Sequence, residues 1–430
     1  MKTNFFSLLL FVFAGTATLF FQSCSDKCED TYTYTAYEPI YMQYSDFRLP
    51  VTAESPRELK NPGKIYVKTP YLFVNEINEG IHIFNNSDPA NPQNISFIPI
   101  PGNVDMAVKG NVLYADNYTD LLSLDISNPE NVTLLNREEV VFLSNYESGG
   151  DLGLIVGYTP VLRTEKYDCS NYGGNGGVVF ANEDVQTVGG GAAMDNASNG
   201  TSSLSSAAAN GVGGSMARFT IPPFSNYLYT VTRSQLTAFD ISNAADPQLI
   251  NTQNIGWQIE TIYPFNNYLM IGSETGLFIY NINNPATPTY AAEMSHVRAC
   301  DPVVAAGNYA YVTLRTGTTC EGELNELRVI DISNINNLTL LKQYPLTNPH
   351  GLGIDNNILF VCDGTDGLKI YDATDPLKID QKMLQHYDQI HAVDVIPLNN
   401  ILLMVGDNGI YQYDYSNLNN VTLLSTIPIK

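Results

Sequence analysis

Seven side chains able to bind or transform a polar molecule stand close to the predicted starts of strands in successive segments of the chain: Asp105, Trp257, Glu260, Arg298, Asp301, His350 and His391. Asp394 follows three residues after the last of them. Carboxylates accept hydroxyl protons, guanidinium and imidazole groups donate, and an indole gives a flat apolar platform, so the set suits a protein or glycan ligand. Glu260 and Asp301 also form a carboxylate pair of the kind that does glycosidic acid/base work when about 5–10 Å apart. A binding surface without turnover is one reading, and a glycan-active hydrolase or lyase is the alternative.

Other chemistries lack their residues. The 5 histidines are dispersed, with no His-x-His or His-Glu-x-x-His spacing, so no metal and no other cofactor is predicted. Gly189-Gly190-Gly191 has no Gly-Lys-Ser/Thr after it, so it is not a phosphate-binding loop. No Gly-x-Ser-x-Gly elbow presents a serine nucleophile. Asp363-Gly364-Thr365-Asp366-Gly367 has the composition of a calcium loop without its spacing, and reads as a hairpin turn.

The elements that must carry these residues repeat. Seven segments alternate in polarity and end in Asp or Asn before a turn, with markers at Asn85, Asp125, Asp240, Asn281, Asp331, Asp372 and Asp414. The steps between markers are 40, 115, 41, 50, 41 and 42 residues. Each unit has room for four strands, as in 391–397, 401–405, 410–415 and 422–427, with a tight turn at Gly406-Asp407-Asn408-Gly409. A marker Asp or Asn bonds its own backbone in an Asx turn, and a following Pro stops the strand. Four antiparallel strands at a period near 40 predict an all-β chain, a seven-bladed β-propeller of four-stranded antiparallel blades. The loops entering each first strand then converge on the mouth of a central channel, which is where the seven candidate side chains fall.

The 115-residue step holds an insertion at about 145–215. Its first part alternates at Val140-Val141-Phe142-Leu143 and 152–158, predicting a hairpin that extends a blade, and 173–214 is a low-complexity stretch predicted to be flexible. The 50-residue step puts about nine extra residues, Thr316 to Asn325, on the same face as Cys300, which predicts a Cys300–Cys320 disulfide. Cys362, closing Leu359-Phe360-Val361, reads as a buried thiol.

Residues 1–23 read as a secretory signal: one early lysine, an apolar run from Phe5 to Phe21, and Ser23 before Cys24. Ser23-Cys24 resembles a bacterial lipobox, which makes Cys24 the lipidated first residue of the mature chain. Residues 24–60 would be tether and N-terminal strand, with Thr31 to Met42 alternating as a strand, and 61–430 the propeller. With 44 Asp+Glu against 21 Lys+Arg, a net charge of −23, the molecule repels phosphate backbones, so nucleic acid is excluded as a partner.

Repeats reading apolar-x-apolar-Ile-Asp-Ile-Ser-Asn, with Asp240 and Asp331 in the clearest copies, resemble LVIVD-repeat propeller lipoproteins of Bacteroidetes. Ser25-Asp26-Lys27-Cys28-Glu29-Asp30 is similar to the acidic tether that sends such lipoproteins to the outer face of the outer membrane. The resemblance implies a monomeric propeller held at the outer membrane by lipid, on the cell surface, and acting as a binding module or as a structural subunit of an envelope complex.

Overall fold

A computed structural model describes residues 29–168, 211–256, 258–296, 302–315 and 324–430, in two compact units. Cys24, Trp257, Arg298, Cys300, Asp301 and Cys320 lie outside the described residues.

The described parts of the first unit, 29–40 and 158–168, belong to two long strands, Glu29–Met42 and Leu154–Asp168, which are neighbours in a three-stranded sheet completed by Glu147–Ser148. The Thr-Tyr alternation of 31–37 thus forms a strand, but the predicted blade-extending hairpin is corrected. Val140 stands in a turn at φ 62°, Leu143–Asn145 is a 3-10 turn, and Leu154–Asp168 pairs with the N-terminal strand. The edge that a hairpin would have extended already meets another segment, since Thr133 bridges to Thr52.

The second unit holds a succession of antiparallel sheets with strands in sequence order, here I (62–99), II (106–138), III (219–254), IV (259–295), V (303–345), VI (352–387) and VII (392–428). Each has four strands in meander order, and sheet I gains a fifth. This all-β arrangement is of the kind found in β-propellers.

Local chemistry sets the unit length. At all seven markers the side-chain Oδ1 accepts the backbone N–H two residues on: Asn85 from Ser87, Asp125 from Ser127, Asp240 from Ser242, Asn281 from Asn283, Asp331 from Ser333, Asp372 from Thr374 and Asp414 from Ser416, all at 2.8–3.0 Å. That bond satisfies a donor released as the third strand ends and turns the chain toward the fourth.

Second and third strands are apolar on both faces because each sheet is packed on both sides: Leu72, Phe73 and Val74 are all fully buried. At about 1.5–3 kcal/mol per buried large side chain, this inter-sheet packing dominates the fold. Side chains then reach backbone carbonyls of the following sheet. Ser96 donates to the Pro129 carbonyl, Tyr114 to Ala244, Tyr229 to Pro285, Tyr263 to Ala305, Tyr344 to Pro376 and Tyr387 to Val421, at 2.6–3.3 Å. Ser425 of sheet VII donates to the Pro89 carbonyl of sheet I at 2.6 Å, so the series returns to its start. Leu72, Val74 and Phe84 of sheet I share one apolar cluster with Leu403, Val405 and Ile410 of sheet VII.

Candidate functional site

The first strands of the sheets lie side by side, and a segment of the chain's own backbone runs among them. Val212–Gly213 pairs antiparallel with the first strand of sheet I, Val212 opposite Val67 and Gly213 opposite Tyr66. Gly211 donates to the Val108 carbonyl of sheet II at 3.1 Å, and the Ala217 carbonyl accepts from Ile262 of sheet IV at 2.9 Å. Ser215 Oγ accepts from the Leu352 N–H of sheet VI at 3.2 Å. Four sheets are therefore tied to seven consecutive residues. A Cβ on Gly211 would run into the Tyr66 ring and come 2.7 Å from the Val67 carbonyl oxygen, so glycine permits the approach. The structure thus corrects the extent of the predicted flexible stretch: from residue 211 onward the chain is built in among the first strands.

Asp105 fixes this segment. Its Oδ2 accepts from the backbone N–H of Arg218, from Phe219 N–H at 3.2 Å and from Lys64 Nζ at 3.1 Å, and its Oδ1 accepts from Met106 N–H at 2.7 Å. Lys64 Nζ also donates to the Met216 carbonyl. Asp105 is 3% exposed, so its carboxylate faces the chain's own donors. Burial pushes Lys64 down from its ordinary pKa, with Asp105 opposing the shift. Burial also drives two neighbouring carboxyls up: Asp116 to about 7, against the pull of backbone N–H groups, and Asp394 well above its usual range.

Asp116 belongs to a recurrent device. At the end of a second strand, a carboxylate accepts backbone N–H groups of the chain entering that sheet's first strand. In sheet II, Asp116 Oδ1 accepts Val104 and Asp105 N–H at 2.8 and 2.9 Å, and Asn103 Nδ2 at 2.8 Å. In sheet I, Glu76 accepts Lys60 N–H at 3.1 Å and Asn61 N–H. In sheet VI, Asp363 accepts Thr347 and Asn348 N–H at 3.0 and 2.7 Å. Two of these acids carry a buried cationic or imidazole partner: Lys369 Nζ stands 2.5 Å from both Asp363 and Asp366, and His82 Nε2 stands 2.9 Å from Glu76. Burial alone would raise Glu76, but the His82 and backbone hydrogen bonds outweigh it and hold its carboxyl below the ordinary range.

Two of the remaining candidates form a second group. The rings of His350 and His391 meet edge to face, centroids 5.6 Å apart. His350 is nearly buried, with Nε2 3.3 Å from Asn348 Nδ2, and its carbonyl accepts from Thr313 Oγ1 at 2.7 Å. His391 is partly exposed and holds Asp407 through Nδ1 at 2.8 Å. Glu260 stands where the register of sheet IV slips, and its backbone carbonyl accepts from Arg218 Nε at 3.4 Å. Arg218 thus links Glu260 to Asp105 at the starts of sheets II to IV, while the histidines mark the starts of VI and VII. Asp394, which feels the charges of Lys64 and Asp105, stands near the first group.

Lys64, Asp116, Arg218, Glu274 and Lys369 were not among the candidates. Glu274 accepts from Gln258 Nε2 at 3.2 Å, again joining the end of a second strand to the entry of a first. The available signal was positional: Glu76, Asp116, Glu274, Asp363 and Asp407 all fall at the second-to-third-strand turn. Cys362 is a fully buried free thiol, and 363–367 is a hairpin turn with Gly364 and Gly367 at φ 53° and 78°. Among the described residues no group of three or more His, Cys, Asp or Glu side chains could hold a metal ion.

Three stretches match the LVIVD repeat. They are residues 102–137, 224–254 and 298–345, which cover sheet II, most of sheet III and sheet V, so the chain is a repeat protein. No curated protein matches it. Solved structures with a similar arrangement include the computationally designed Ika8 protein, at 10% identity and TM-score 0.49 over 86% of this chain and 89% of that one. A functionally unknown protein from Desulfotomaculum acetoxidans DSM 771 is 13% identical, TM-score 0.49, over 86% and 95%. Kluyveromyces lactis Hsv2 is 9% identical, TM-score 0.39, over 72% of each chain.

Proposed function

We propose that this chain is a lipid-anchored binding module: sheets I to VII close as a seven-bladed propeller, acylated Cys24 holds it at the outer membrane on the cell surface, and the face where first strands begin takes a protein or glycan ligand without turning it over. The observation that carries this reading is the bracing of that face. Buried carboxylates tie the entering chain in sheets I, II and VI, and Asp105 with Lys64 fastens the chain across the first strands. A binding surface gains from such fixed loops, because a rigid site loses little entropy when it is occupied. LVIVD repeats support an interaction role, since repeated units build a scaffold whose loops vary.

The test is to place a photo-crosslinking side chain at Asp407, on the second-to-third-strand turn of sheet VII, and separately at Asn417, beyond the marker turn of the same sheet, in native envelopes. Crosslinked product from position 407 and none from 417 is expected. Product from 417 alone would move the interface to the opposite face and overturn the assignment.

A further inference from the structure

The ribbon of the first unit has two chemically different faces. Side chains alternate along a strand, and three contacts fix which of them share a face. Thr33 Oγ1 meets Thr164 Oγ1 at 3.0 Å, which groups Thr31, Thr33, Thr35 and Tyr37 with Leu162 and Thr164. Tyr34 OH donates to Glu165 at 2.9 Å and Arg163 binds Glu38 at 2.6 Å, so Glu38, Arg163 and Glu165 stand on the other face with the stacked Tyr32 and Tyr34, while exposed Lys166 falls at the far end of the first. From Thr31 to Tyr37 and from Tyr158 to Thr164, the first face carries no charge. Tyr37 is 50% exposed on it and Leu162 75%. A two-stranded ribbon is marginal in water by itself, and two large apolar side chains this open on one of its faces give a covering surface something to bury.

We propose that this face, along its uncharged stretch, rests on the lipid headgroup layer. The inference rests on acylation at Cys24. Five peptide steps separate Cys24 from Glu29, a reach of at most ~17 Å, so an acyl anchor there delivers the ribbon to the membrane surface. Tyrosine is the residue type that settles at such interfaces, its ring among the upper acyl carbons and its hydroxyl among the headgroups. Threonine hydroxyls tolerate the same half-wet layer, while the ion-paired face turns to water. Because the anchor has already confined the ribbon, a weak preference for lipid suffices to seat it.

The experiment compares amide hydrogen exchange of 29–42 and 154–168 in three samples: the lipidated full chain in phosphatidylethanolamine/phosphatidylcholine vesicles, the same vesicles with the Tyr37→Ser/Leu162→Ser variant, and an unlipidated chain beginning at Ser25 in buffer. Intact mass of the N-terminal peptide reports acylation independently. Exchange slowed ~tenfold on vesicles for the native face only is expected. Unchanged exchange in a protein whose Cys24 carries the acyl mass overturns the lipid contact and leaves the anchor standing. Absence of the acyl mass removes the anchor and the contact together. Concentration-dependent protection of the unlipidated chain in buffer would assign the face to a second copy and overturn the proposal.

Discussion

Replacing Asp105 by alanine removes the acceptor that joins sheet I, sheet II and the segment crossing between first strands. Four donors lose this acceptor at once: Lys64 Nζ at 3.1 Å, Phe219 N–H at 3.2 Å, Met106 N–H at 2.7 Å and the Arg218 N–H. The side chains of Lys64 and Asp105 are 11% and 4% exposed, so little water can replace the carboxylate. Removing one partner of a buried ion pair costs about 3–5 kcal/mol. Burial already lowers the Lys64 pKa, so that lysine can shed its proton in the variant, which places the cost toward the lower end of the range. With an unfolding entropy of ~2.1 cal/mol/K per residue, a cooperative unit of several hundred residues would melt roughly 4–6 °C lower. Scanning calorimetry measures this directly, and adding Lys64→Met to the variant should recover part of the loss. An Asp105→Ala protein that melts within a degree of the native chain, yet loses ligand, would refute the reasoning: Asp105 would then be a ligand-binding group.

Further outcomes follow from other residues. Asp116 holds a folded-state pKa of about 7 against an ordinary value of 3.8, so the folded state binds the extra proton between those pH values. A raised carboxyl favours folding fully below the unfolded pKa and loses that contribution as pH rises through 7, at most ~4 kcal/mol here. Asp116→Asn keeps Oδ1 as acceptor and should narrow the difference in urea midpoint between pH 5 and pH 8; an unchanged difference would exclude Asp116 as its source. Tyr344→Phe deletes a hydroxyl that donates to Pro376 at 2.8 Å and accepts from Ile379 N–H at 3.2 Å, for an expected loss of about 1–2 kcal/mol by urea denaturation. Gly211→Val pushes a branched side chain into the Tyr66 ring and should lower the melting temperature; a melt equal to the native one would show that the segment is not fastened there.

The repeat was legible because a blade is a local object. Alternation, a turn glycine and a marker Asp act within a few residues, and all seven markers make the bond that their residue type suggests. Cys362 was legible for the same reason, as the end of an apolar strand. The insertion was partly misread: Leu154–Asp168 alternates well enough to be a strand, yet alternation does not name a partner, and the edge proposed for it already meets Thr52. Asp105 was placed by its position at the start of a first strand, but what it faces was not visible, since its partners Lys64 and Arg218 are 41 and 113 residues away.

The sequence by itself determined the strand content, the unit length, the turn chemistry and the acidic excess, because each is set by residue types and their neighbours along the chain. Only the tertiary structure decided which acids face solvent and which fasten backbone. Nothing in the sequence distinguishes Glu76, Asp116 and Asp363 from other acids near strand ends, but the chain entering each sheet brings its N–H groups onto them. Whether a carboxylate awaits a ligand or already has one depends on what folding brings within 3 Å of it, and that is set by packing between segments far apart in the chain.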